Sequence, residues 1–140
     1  MLEHNRLLIE AMYVSWEAGD LPSMMSFFAD DVVFAVHPVE ATTTIVGHGQ
    51  GKELFASRLA LFLHDYEVVD YSTPYISADG DSVDCRISYH YRHRKNGMEI
   101  DGSMRHVWKI ADGKIVRFDV IHDALRMGAF FELAARTDDA

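Results

Sequence analysis

The sequence predicts an α+β domain, with helices first, then an antiparallel meander, and the helices packed on one face of the sheet. Two observations carry this. Apolar residues recur mainly at helical spacing as far as about residue 64 and at a period of two beyond residue 65. The connections of the second half hold turn chemistry: Ala78-Asp79-Gly80, Asn96-Gly97 and Asp112-Gly113. The chain has 140 residues, 49% apolar and 25% charged, which suits one compact domain over 1–140 with no repeat, low-complexity tract or linker.

Taken in order, Leu8, Ala11, Met12, Ser15 and Trp16 give a helix over 3–18, with Gly19 as its stop. Asp20 can cap a second helix over 21–29, with Pro22 in its first turn and Leu21, Met24, Met25 and Phe28 as its stripe. Asp30-Asp31 breaks that pattern as a turn of solvated charges, and 32–37 is a strand ended by Pro38. Thr42 to Gly47 is a short extended piece. A third helix spans 49–64 on Phe55, Leu59, Phe62 and Leu63. Strands follow at 66–77, 82–95, 99–111 and 114–123. Asn96-Gly97 and Asp112-Gly113 read as two-residue hairpin turns, whose central residues favour positive φ. Pro74 puts the strand 66–77 at an edge or a bulge. Residues 124–136 form a closing helix on Leu125, Phe130, Phe131 and Leu133.

Charge and cysteine use narrow the function. The net charge is −9, and the excess acid all lies in the first 80 residues, which hold 3 bases against 12 acids. That balance excludes a nucleic-acid partner, which rewards clustered Lys and Arg. Arg92-His93-Arg94-Lys95 is the local exception, read as a solvated hairpin end before an anion site. No apolar run approaches the ~18–20 residues of a membrane span. The first residues, Met1-Leu2-Glu3-His4-Asn5-Arg6, lack the basic end and apolar stretch of a signal peptide, so the expected compartment is the cytoplasm. The one cysteine, Cys85, excludes an intrachain disulfide and reads as a small buried hydrophobe.

Four segments in order carry a resemblance over nearly the whole chain. They are Glu17-Ala18-Gly19-Asp20-Leu21, Phe27-Phe28-Ala29-Asp30-Asp31-Val32, Val46-Gly47-His48-Gly49 and Val107-Trp108-Lys109-Ile110-Ala111-Asp112-Gly113-Lys114-Ile115-Val116. Together they resemble the nuclear transport factor-like superfamily, in its SnoaL-like and ketosteroid isomerase-like branch. The resemblance implies a cone-shaped barrel: a strongly curved antiparallel sheet wrapped around N-terminal helices, with an apolar pocket at the open end. It also implies no cofactor and a homodimer through the sheet. The fold hosts isomerases, cyclases, dehydratases and non-enzymatic domains, so the chemistry must come from the inward residues.

Strand parity picks those residues. On 99–111 the apolar set Met104, His106, Trp108 and Ile110 goes inward. On 114–123 it is Val116, Phe118, Val120 and His122, leaving Ile115 outside. On 82–95 it is Val83, Cys85, Ile87, Tyr89 and Tyr91. On 32–37 both faces are apolar, and parity leaves the direction of His37 open. The resemblance places the family's aspartate base at His37 when anchored on Pro38, and at Val36 when anchored on Ala29-Asp30-Asp31. The family's oxyanion-holding acid falls on His106, and its tyrosine donor falls on Met12, beside Tyr13. The isomerase triad is therefore absent. A SnoaL-like cyclase histidine also fits His106, but its aspartate falls on Val120, with Asp119 one step away and facing out.

The expected catalytic cluster is His37, His106 and His122, with His37 as base and the others serving the oxyanion. The expected wall is Tyr13, Trp16, Tyr89, Tyr91, Trp108, Phe118 and Val120, although Trp16, like Met24 and Met25, also suits plain core. Neutral imidazoles in an apolar pocket can take a proton from a carbon acid or hydroxyl, and can donate to the oxyanion formed. The expectation is a cofactor-independent isomerase, cyclase or dehydratase acting on a hydrophobic cyclic carbonyl or hydroxyl compound. The alternative is a non-catalytic ligand-binding or dimeric assembly domain. A metal is not expected: His90 and His93 fall on opposite strand faces, and no carboxylate joins the three inward histidines.

Overall fold

The computed structural model describes residues 2–37, 47–122 and 124–139. In chain order, helices α1 (Leu2–Glu17) and α2 (Leu21–Met25) come first, then strands β1 (Phe28–His37) and β2 (Gly49–Gln50), then helix α3 (Lys52–Asp65). Strands β3 (Tyr66–Asp79), β4 (Ser82–His93), β5 (Glu99–Ala111) and β6 (Lys114–Ile121) follow, then helix α4 (Ala124–Asp139). The expected α+β class holds. The extended piece at Thr42–Val46 and the strand stop at Pro38 lie outside the described residues, as does the side chain of Leu125.

Local chemistry explains the first junction. Gly19, at φ 73, ends α1: its N–H donates to Trp16 O and the Asp20 N–H donates to Ser15 O, the paired bonds of a Schellman stop. Asp20 then caps α2, its carboxylate accepting from the Ser23 N–H at 3.1 Å. Helix α2 is shorter than the expected 21–29. Its last apolar residue, Phe28, is buried from the first position of β1, where the chain joins β6 through the bond from Ile115 N–H to Phe27 O. Asp30 and Asp31 are exposed within that strand rather than in a turn before it. Helix α3 also starts later than expected, because Gly49-Gln50 pairs with β1 and Gly51, at φ 110, precedes the helix.

The sheet runs β2-β1-β6-β5-β4-β3. The meander from β3 to β6 is antiparallel, but β1 joins β6 parallel, so the sheet is mixed, and it is open between its β2 and β3 edges. Strand β3 holds Pro74 both at an edge and at a register shift between Ser72 and Tyr75. The Asp112-Gly113 turn has both residues at positive φ, as a two-residue hairpin requires. Asn96-Gly97 differs. Only Gly97 has positive φ, and a four-residue loop closes through the His93 N–H to Met98 O bond. His93 is buried edge-on to Tyr66, so only Arg94 and Lys95 of that basic run are exposed.

Helices α1 and α3 pack on the inner face of the sheet. Ile9 and Met12 of α1 and Phe55 of α3 are fully buried against Val83, Cys85, Trp108 and Ile115. Parity sent Ile115 outward, but Val116 is an extra residue between the pairs Ile110↔Ile115 and Lys109↔Arg117, and this bulge turns Ile115 inward. A second cluster, Phe62, Tyr66, Tyr91, Ile100, Met127 and Phe131, joins α4 to the sheet. On α4 it is Met127, Phe131 and Ala134 that are buried, whereas Leu133 is 53% exposed.

Candidate functional site

Between the inner sheet face and the helices lies a cavity of about 740 Å³ of atom-free space, its open mouth included. Its wall is almost wholly apolar. Helix α1 supplies Tyr13 and Trp16, one turn apart, and α3 supplies Phe55, Leu59 and Phe62 at i, i+4, i+7. Alternate residues of the central strands face in: Met104, His106 and Trp108 from β5, and Phe118, Val120 and then His122 from β6. Met127 and Phe131 of α4 complete the wall on another side.

Among the described residues, two imidazoles and three phenols are the titratable groups that reach it. His106 is 5% exposed, and Tyr13 Oη lies 2.7 Å from its Nδ1. The same oxygen accepts a bond from Trp108 Nε1 at 2.9 Å. Trp108 stacks on its cross-strand partner Phe118 at 3.8 Å, and His106 stands edge-on to Phe118 at 4.8 Å. Trp108 also stands edge-on to the imidazole at 5.7 Å, so Tyr13, Trp108 and Phe118 all pack around it. Burial, with repulsion from His122, pushes the His106 pKa down to about 3, so the ring is neutral at physiological pH. Burial raises the phenols of Tyr13, Tyr71 and Tyr91 well above their ordinary range, and they stay protonated. The Cys85 thiol is likewise pushed up to about 11, chiefly by burial, which makes it a poor nucleophile.

The structure brings most of the expected residues together and separates two. His106 and His122 share the cavity with Tyr13, Trp16, Tyr91, Trp108, Phe118 and Val120. His37 does not join them. Its Nε2 lies 2.8 Å from Asp119 Oδ1 on the other face of the sheet, and Arg117 holds the same carboxylate. Val36, the position given by the alternative anchor, lines the cavity instead. On Asp119, burial would raise the pKa, but the bonds from Arg117 and His37 outweigh it and lower the carboxyl. Tyr89 is the second departure. It is buried behind the wall, stacked on Tyr91, with its hydroxyl donating to Met127 Sδ at 3.0 Å.

Sequence reasoning missed Tyr71. An extra residue at Val69 shifts the β3 register between Val68↔Tyr91 and Asp70↔His90, and this changes which parity faces in. Among the described residues no group of three or more His, Cys, Asp or Glu is placed to hold a metal ion. None of the described helices is long and apolar enough to cross a membrane.

Comparison with known proteins fits this architecture. A family profile described as SnoaL-like domain matches residues 9–118. No curated protein matches the chain. Among solved structures, an NTF2-like protein of unknown function from Burkholderia pseudomallei superposes with a TM-score of 0.78 at 16% identity, covering 91% of this chain and 97% of that one. A candidate polyketide cyclase from Xanthomonas campestris gives 0.76 at 20% identity, with 93% and 98% covered. TerC, co-crystallised with polyporic acid, gives 0.74 at 19% identity, with 92% and 98% covered. At these identities the likeness is one of fold, and it fits the cone.

Proposed function

The chain belongs to the SnoaL-like domain family, and on that premise we propose that it is an enzyme of acid–base proton transfer on a hydrophobic cyclic carbonyl or hydroxyl compound. The observation that carries this reading is the pair of imidazoles, His106 and His122, set into one otherwise apolar cavity. Nonpolar walls favour a flat hydrophobic ligand, and the aromatic rings offer it faces and edges to stack on. Imidazoles set into an apolar wall can move a proton between carbon and oxygen. Isomerisation, cyclisation and dehydration all need that step.

The test is solvent-deuterium exchange at carbons next to the carbonyl, followed by NMR over a panel of cyclic ketones, enones and hydroxyketones. At least one compound is expected to exchange far faster than its buffer control. His106→Phe and His122→Phe should each lower that rate at least ~100-fold without loss of fold. Saturable binding with no exchange would instead mark a non-catalytic ligand-binding protein. A homodimer through the outer sheet face belongs to the same proposal, supported by Ile121, 40% exposed, and the partly exposed Val107. Sedimentation at micromolar concentration should then give twice the monomer mass.

A further inference from the structure

The hydrogen bonds behind the cavity decide what His106 can do, and the count is short. Trp108 Nε1–H is a donor only, so at Tyr13 it occupies a lone pair of the hydroxyl oxygen. Tyr13 stays protonated, so its one hydrogen needs an acceptor. His106 Nδ1 lies 2.7 Å away. The Cys85 sulfur, also near the hydroxyl, is a weak acceptor. If Nδ1 carried the imidazole proton, it would donate to an oxygen that already accepts from Trp108, and the phenolic hydrogen would be left with the thiol. The arrangement with every strong donor matched to a strong acceptor runs Trp108 to Tyr13 to His106 Nδ1. It leaves the proton of the neutral ring on Nε2.

From this geometry we propose that the Trp108–Tyr13 pair fixes His106 as an Nε2–H donor toward the cavity, so that His106 polarises the carbonyl of an uncharged ligand and His122 is the base. This rests on the proton-transfer reading of the cavity and divides the labour within it. The step balances without a co-reactant. An imidazole nitrogen of His122 takes the proton from the carbon beside the carbonyl as that C–H bond breaks. The electron pair forms the C=C bond of an enol(ate), and the carbonyl π pair moves onto oxygen, where His106 Nε2–H donates to it. His122 then returns the proton to the same or a conjugated carbon. Among the described residues neither Lys nor Arg lines the cavity, which disfavours an anionic ligand. Tyr13 is a positioning residue: it acts through His106, by holding the tautomer.

The test is ¹⁵N NMR of the histidine side chains of the whole protein at pH 7, with the His106 signals identified by their loss in His106→Phe. The expected wild-type spectrum shows one His106 tautomer, with Nε2 protonated and Nδ1 bare but hydrogen-bonded. In Tyr13→Phe the Nδ1 resonance should move downfield as it loses the phenol. A proton on Nδ1 in the wild type, or an Nδ1 resonance unmoved in Tyr13→Phe, overturns the assignment. Should Tyr13→Phe not fold, the wild-type spectrum decides by itself. Because the readout is a tautomer, it stands apart from the exchange assay, whose failure would remove the enzymatic reading and leave the His106 proton where the spectrum puts it.

Discussion

His106 is the residue where burial does most. Its pKa is about 3 in the folded chain against 6.5 for a free imidazole. Between those values the unfolded chain binds a proton that the folded chain refuses, so stability falls as pH drops through that window. The slope approaches roughly 1.4 kcal/mol per pH unit for one fully differing group. Urea midpoints at pH 7 and pH 4.5 should therefore diverge in the wild type, and less so in His106→Phe. The carboxyls of Asp84, held low by the bond from Arg105, and Asp119 add losses of the same sign at lower pH. Tyr13 is 2% exposed and serves two partners, so Tyr13→Phe should cost about 1–3 kcal/mol in urea unfolding by stranding Trp108 Nε1 and His106 Nδ1. At this scale the sequence was partly legible. His106 could be placed because its strand is apolar on one face only. His37 could not, because β1 buries Val32, Phe34 and Val36 on one face and also Ala35 on the other.

Elements were easier to read than their edges. Helix α1, its Gly19 stop and the Asp20 cap follow from local chemistry, as does the Asp112-Gly113 hairpin. The errors fall where tertiary pairing overrode local pattern: Phe28 was drawn from the α2 stripe into β1, and Gly49-Gln50 from α3 into β2. The bulge at Val116 changed strand parity and misplaced Ile115, and Tyr71 sits on a strand to which parity was not applied and which a bulge at Val69 also interrupts. A single inserted residue has no composition signature, so parity fails just beyond it. The hairpin permits a direct check. Gly113 has φ 75 with no atom within 4 Å of an added Cβ, so Gly113→Ala should destabilise by about 1 kcal/mol through backbone strain alone. A loss of several kcal/mol in urea unfolding would mean that the turn is held by packing.

The whole molecule is a sheet whose inner face, with the four helices, makes a cavity, and whose outer face carries ion pairs such as Arg105–Asp84 and Arg117–Asp119. Both tryptophans of the chain, Trp16 and Trp108, line that cavity. Intrinsic fluorescence should therefore change saturably with a neutral ligand such as 2-naphthol and much less with 2-naphthoate, whose charge meets neither Lys nor Arg among the described lining residues. Equal response to both would remove the preference for uncharged ligands. The fold class was legible from periodicity and four short segments, whereas the open mixed sheet was not, because parallel pairing of β1 with β6 joins residues some 80 positions apart. The most direct measurement is a crystal structure with a cyclic ketone that the protein binds. The account predicts the carbonyl oxygen within about 3 Å of His106 Nε2 and the adjacent carbon facing His122. A ketone bound with its oxygen at the mouth, away from both imidazoles, would contradict it.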